Sequence, residues 1–158
     1  MEIKDIVKLV AAILVSQAAG IIGSVFTFSS IPTWYAILDK PFFSPPNWVF
    51  GPVWIILYTL IGISAYLIWK KGLEKSEVKI ALGFFGLQLV LNAFWSIIFF
   101  GLKMPLVAFI EIIILLALII ITILKFHKIS KKAALLMVPY ALWVGFASIL
   151  NLSIWLLN

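Results

Sequence analysis

Gln88, Asn92 and Ser96 recur every fourth residue, with Trp95 beside them, in a stretch that has no charge between Lys79 and Lys103. Trp143, Ala147 and Asn151 repeat that spacing further on, with Tyr140 and Ser148 next to the same line. On a helix each set shares one face. Amides, hydroxyls and indoles so arranged can hydrogen-bond and stack, but no nucleophile, base and orienting group can be assembled from them. Two readings follow. The amides can bond neighbouring helices together, for roughly 1 kcal/mol each, or they can line a site for a flat apolar ligand, which the accompanying indoles and small residues favour.

The remaining reactive side chains are few. The chain has no cysteine, which removes disulfides, thiolate metal sites, Cys nucleophiles and covalent c-type haem attachment. His127 is the only histidine and stands among lysines, so it reads as a solvated surface residue and no multi-His metal site can form. Glu111 is the only acid inside an apolar run. It is open to three readings: a proton-coupled transport group, a carboxyl bonded to a neighbouring helix, or a group close enough to the surface to reach water. No Lys, Arg or His inside a run is available to pair with it.

These residues lie in a chain of 158 residues that is 65% hydrophobic and 11% charged, against roughly 25% charged in a soluble domain. Apolar runs cover about residues 9–31, 46–69, 80–102, 104–124 and 133–157, each near the ~20 residues that cross a bilayer as a helix. The expected fold is all-α, one domain of five transmembrane helices at about 6–28, 47–69, 79–101, 105–125 and 132–157. A barrel would need strands alternating apolar and polar residues, a pattern these solid runs lack. The first run is too long for a signal-peptide core and continues without a cleavage site.

The net charge of +6 rests on twelve lysines and no arginine. Lys4 and Lys8, then Lys70, Lys71, Lys75 and Lys79, then Lys125, Lys128, Lys131 and Lys132 fall on one side of the predicted bundle, with only Lys40 and Lys103 opposite. Basic short loops stay cytoplasmic, so this distribution predicts an N-terminus inside and a C-terminus outside, and it accounts for the basic excess without nucleic acid.

Helix 1 carries Ser16, Gln17, Ala18, Ala19, Gly20 and Gly23, small and polar residues that suit close helix packing. The segment 29–46 is expected to be a loop with one interfacial helical turn at Trp34 to Leu38. Helix 2 is expected to start at about Pro46 to Trp48, with Asn47 as its cap. The turn at Lys103 to Pro105 makes helices 3 and 4 antiparallel neighbours, and Pro139 predicts a kink in helix 5 unless that helix starts late. Ala81, Gly83 and Gly86 offer small residues for a dimer contact on helix 3. No inverted or parallel repeat of the transporter kind is visible.

The series WYAILDKPFFSPPNWVFGPVWIILY (Trp34 to Tyr58), QLVLNAFWSIIFFG (Gln88 to Gly101) and VPYALWVGFASILN (Val138 to Asn151) closely resembles the TspO/MBR family, the tryptophan-rich sensory and translocator proteins. The resemblance implies a five-helix bundle, often a homodimer, whose pocket opens toward the first long loop. It implies protoporphyrin IX or haem as ligand rather than as a required cofactor, no metal, and in some members cholesterol or isoquinoline carboxamide and benzodiazepine drugs.

By position, Trp54 and Trp143 match the tryptophans linked to light-dependent porphyrin breakdown. Asn92 and Trp95 match a wall of the pocket, Ala147 a small residue whose enlargement weakens binding, and Phe50, Tyr58, Phe99, Phe100, Leu150 and Asn151 further lining. Residues 40–46 would form a proline-stiffened lid, with Lys40 available to propionates, and Trp48 to Trp54 would present aromatics to the pocket. The cholesterol pattern of animal members is missing after Asn151, and Val107 replaces a frequent tryptophan. These departures imply a prokaryotic cell membrane protein with an altered drug site.

Overall fold

A computed structural model describes residues 1–158, and its long elements are helical throughout. Helix α1 spans Ile3–Ser30, α2 Asn47–Trp69, α3 Ser76–Ser96, α4 Pro105–His127 and α5 Lys131–Leu157, all long and apolar enough to cross a membrane. The bundle is ordered as a ring. α1 packs on α2, α2 on α5, α5 on α4, α4 on α3, and α3 returns to α1.

Local sequence sets the ends. α3 begins at Ser76, three residues ahead of the expected 79, and places Glu77 in its first turn where a carboxylate faces the helix dipole favourably. Ser130 caps α5 by accepting a bond from the Ala133 amide at 3.3 Å. Asn47 does not cap α2. It is the first helical residue, Pro46 precedes it, and no side chain closes that end. Between α2 and α3 the chain turns at Gly72 with φ 113°, a conformation that side chains oppose. α5 stays helical through Pro139.

α3 does not end as a plain α-helix. Ile97–Gly101 forms a π-helical segment in which the Leu102 amide bonds the Ile97 carbonyl at 2.8 Å. Such widened turns are rare and are frequent at functional sites. Lys103, at φ 56°, then reverses the chain into α4.

The end of the bundle remote from the long loop is solidly filled. Ile61, Ile68, Val78, Ile119, Phe126 and Met137 are completely buried there. Ser64 Oγ donates to the Ala133 carbonyl at 2.6 Å, joining α2 to α5. Gly62 lets α1 approach so closely that an added Cβ would stand 2.7 Å from Ile13 Cα. Small residues do on α2 what they do in membrane bundles generally, admitting a neighbouring backbone. On α3 the small residues divide. Ala81 is fully buried in the bundle, and Gly83 and Gly86 face open space, so Ala81 cannot belong to a dimer surface shared with them.

At the other end, Tyr35, Phe99, Ala108, Leu150 and Ile154 form a second, smaller core beneath the loop. The loop's single helical turn is 3₁₀ and covers Tyr35–Ile37. Its backbone is fastened to the tip of α5. The Asp39 amide donates to Asn158 Oδ1 at 3.0 Å, and Asn158 Nδ2 donates to the Asp39 carbonyl at 2.9 Å. Phe43 packs edge-on against Phe146, and Trp34 against Phe99. Lys40 Nζ donates to the Leu38 carbonyl at 3.1 Å and lies 4.5 Å above the Tyr35 ring.

Candidate functional site

Between the two cores lies a cavity of about 350 Å³ bounded by α1, α2, α3 and α5, within the usual size range of small-molecule sites. Its floor is one continuous hydrogen-bond chain. The Tyr58 hydroxyl on α2 donates to Asn92 Oδ1 on α3, and Asn92 Nδ2 donates to the Tyr140 hydroxyl on α5 at 2.8 Å. Tyr140 in turn donates to Gln88 Oε1 at 2.6 Å. The two readings of the polar stripes therefore both hold, at different depths. Gln88 and Tyr140 bond helices below the cavity, and Asn92 both bonds helices and faces the space above.

A second amide ties the upper half. Trp95 Nε1 donates to Asn151 Oδ1 at 3.0 Å, and Asn151 Nδ2 donates to the Pro105 carbonyl at 2.8 Å, joining α3, α4 and α5. Trp95 is thereby fixed in orientation and stacks on Phe99 with centroids 5.2 Å apart and planes at 22°. On the opposite wall Trp54 stacks on Tyr58 at 5.4 Å and 27°. Trp143 meets Phe50 edge-on at 6.1 Å and Phe146 at 5.4 Å. The cavity therefore presents several fixed aromatic faces above a small polar floor. The widened turn at Ile97–Gly101 brings the adjacent residues Phe99 and Phe100 both to its lining.

The structure brings Phe50, Trp54, Tyr58, Asn92, Trp95, Phe99, Phe100, Trp143, Ala147, Leu150 and Asn151 around this one cavity. Trp48 is different. It is exposed and points away from the cavity, so only the later aromatics of Trp48 to Trp54 line it. Trp54 and Trp143 share the cavity but pair with different rings, Trp54 with Tyr58 and Tyr140, Trp143 with Phe50 and Phe146. Glu111 lies outside the lining, and both its carboxyl oxygens are buried without a protein partner. His127 is exposed at the end of α4.

An entire wall was missed by reasoning from sequence. Gln17, Gly20, Ile21, Ser24, Thr27 and Phe28 of α1 line the cavity. Their spacing of three and four residues, rich in small and hydroxylated side chains, is the signal that identifies such a face. Gln17 Nε2 donates to the Ile55 carbonyl and to Thr59 Oγ1, both at 3.0 Å, and closes the α1–α2 seam at the lower edge of the cavity. Gly20 lies against the edge of the Tyr58 ring with no room for a side chain.

The first long loop is fastened to α5 through Asp39 and Asn158 and seated on Phe99 and Phe146, and Ile31, Tyr35 and Asn47 at its two ends contribute to the lining.

Comparison with known proteins gives a consistent result. Residues 12–156 match the model of the TspO/MBR family. Tryptophan-rich protein TspO of Archaeoglobus fulgidus is 51% identical over 98% of this chain and 99% of its own. Translocator protein of Bos taurus is 34% identical over 90% of this chain and 85% of its own. Tryptophan-rich sensory protein of Cereibacter sphaeroides is 34% identical over 79% and 77% of the two chains.

Proposed function

Because the chain belongs to the TspO/MBR family and is a multi-pass membrane protein, we propose that it is a receptor for flat, largely apolar ligands of the tetrapyrrole class, protoporphyrin IX or haem, held among the aromatic faces of its cavity. The observation that carries this reading is the pairing of rigid ring stacks with a polar floor. Trp54 on Tyr58 and Trp95 on Phe99 offer flat faces, and the Tyr58–Asn92–Tyr140 chain fixes the helices that bear them. A planar macrocycle gains stacking on such faces worth about 0.5–1.5 kcal/mol per pair beyond its burial. Names given to relatives, translocator and sensory protein, place the family's role in membrane sensing or transport.

Saturable quenching of tryptophan fluorescence on titration with protoporphyrin tests the reading. Quenching that never saturates, or that is the same in a Trp54→Phe, Trp143→Phe variant, removes it. A second reading, light-dependent breakdown of the porphyrin, draws on the presence of both indoles in one cavity. It requires loss of the porphyrin absorption band, under illumination only, that depends on Trp54 and Trp143.

Ten of the twelve lysines lie at the α1 start and in the α2–α3 and α4–α5 turns. With them on the cytoplasmic side of a prokaryotic cell membrane, the long loop and its lid face outward. A second copy would pack on the outer face of α3, where Gly83 and Gly86 are open.

A further inference from the structure

Four side chains border the cavity and yet are exposed: Ile21 and Phe28 of α1, 65% and 72%, Ile55 of α2, 61%, and Asn47 at the start of α2. A side chain can do both only where the wall is open. Gly51 stands between them on α2, also lining and also exposed, and a Cβ added there would meet nothing within 4 Å. We propose that this gap between α1 and α2 at Gly51 is the doorway of the cavity, and that its ligand arrives from the hydrocarbon of the bilayer rather than through the long loop.

The limits of the doorway are set by contacts already described. Below it, Gln17 bonds α1 to Ile55 and Thr59, Gly20 seats Tyr58, and Gly62 seats the Ile13 backbone, so the two helices are clamped. Above it, both backbone groups of Asp39 are held by Asn158 and Tyr35 is buried, so the loop is fastened to α5 rather than free to swing.

The outer flanks of the gap, with Ile21, Ile22, Val25, Phe28, Ile55 and Ile56 exposed, are as apolar as the lipid they would meet. The hydroxyls along its α1 edge are satisfied within the helix: Ser24 Oγ donates to the Ile21 carbonyl at 2.7 Å and Thr27 Oγ1 to the Gly23 carbonyl at 3.0 Å. No unpaired donor on that edge therefore meets hydrocarbon, which offers no water to satisfy one. The geometry selects ligands that dissolve in the bilayer.

This inference rests on the ligand reading above, and the experiment separates the two. Protein in vesicles of neutral lipid is mixed with vesicles preloaded with protoporphyrin, and binding is followed by porphyrin absorption in stopped flow. Gly51→Leu and Gly51→Trp are expected to slow association and dissociation together, the second on the order of tenfold or more. Leu14→Trp, a matched enlargement on the lipid face of α1 away from the cavity, leaves both rates unchanged. Stapling the lid through an Asp39→Cys, Asn158→Cys pair with a bis-maleimide also leaves them unchanged. Saturable binding whose rates ignore residue 51, or that the staple slows, overturns the doorway alone. Absence of saturable binding by the unmodified chain overturns the ligand reading and the doorway with it.

Discussion

The Asn92 amide donates to the Tyr140 hydroxyl at 2.8 Å, from α3 to α5 across the centre of the bundle. Its carbonyl oxygen accepts from Tyr58 on α2, so one side chain joins three helices directly beneath the cavity. Asn92→Leu leaves two buried phenols without these partners. The expected loss of stability is about 1–3 kcal/mol, read as a lowered thermal midpoint in detergent. Tyr140→Phe, which keeps the ring, should cost less than Asn92→Leu; an unchanged midpoint in Asn92→Leu would contradict the role given to this chain of bonds.

Close approach of α1 to α2 predicts a contrast between glycines. Gly62→Ala forces a methyl against the Ile13 backbone, where nothing flexible can yield, and should destabilise by about 1–3 kcal/mol. Gly83→Ala, open on the outside of α3, should be near neutral in the dispersed monomer. Equal thermal midpoints for the two variants would show that the α1–α2 seam is looser than described.

Trp54 and Trp143 each present an aromatic surface to the cavity. Replacing either by Phe keeps a ring but loses the larger indole face, and the loss in porphyrin affinity should be about two- to tenfold per site. Because the two indoles pack on different rings, their effects should add in free energy. Strong non-additivity in the double variant would indicate that one residue acts through the other.

Lysine placement predicts sidedness. The chain has no native cysteine, so Lys71→Cys and Lys103→Cys each provide a single label site. A membrane-impermeant maleimide added to intact cells should react at position 103 and spare position 71 until the cells are opened. The reverse pattern would invert the topology.

Much of this arrangement was legible in the sequence, for identifiable reasons. Five apolar runs, broken only by Glu111, yield five spanning helices because hydrocarbon admits no other use for them, and the four-residue spacing of Gln88, Asn92 and Ser96 puts their side chains on one face of α3. The α1 wall stayed hidden because Gly20, Ser24 and Thr27 serve tight packing and cavity lining with the same small side chains. Asn47 could be read as a cap only without knowing that α2 starts upon it, and Ala81 as an outward residue only without the rotation that turns it into the core. The π-helical turn at Ile97–Gly101 has no signature in IIFFG. The anchoring of the long loop depends on Asp39 meeting Asn158, 119 positions away, a pairing that no local pattern announces.

The most direct test is an equilibrium titration of the protein in lipid nanodiscs with protoporphyrin, followed by the porphyrin's own absorption, beside the Ala147→Trp variant. Ala147 lines the cavity beside Trp143 and Asn151, so an indole at that position occupies the space a macrocycle would take. The expected result is saturable binding to the unmodified chain, one ligand per cavity, weakened on the order of tenfold or more by the filled site. Porphyrin uptake that rises without limit, as in empty nanodiscs, or that is the same with Ala147→Trp, would contradict the assignment of this cavity.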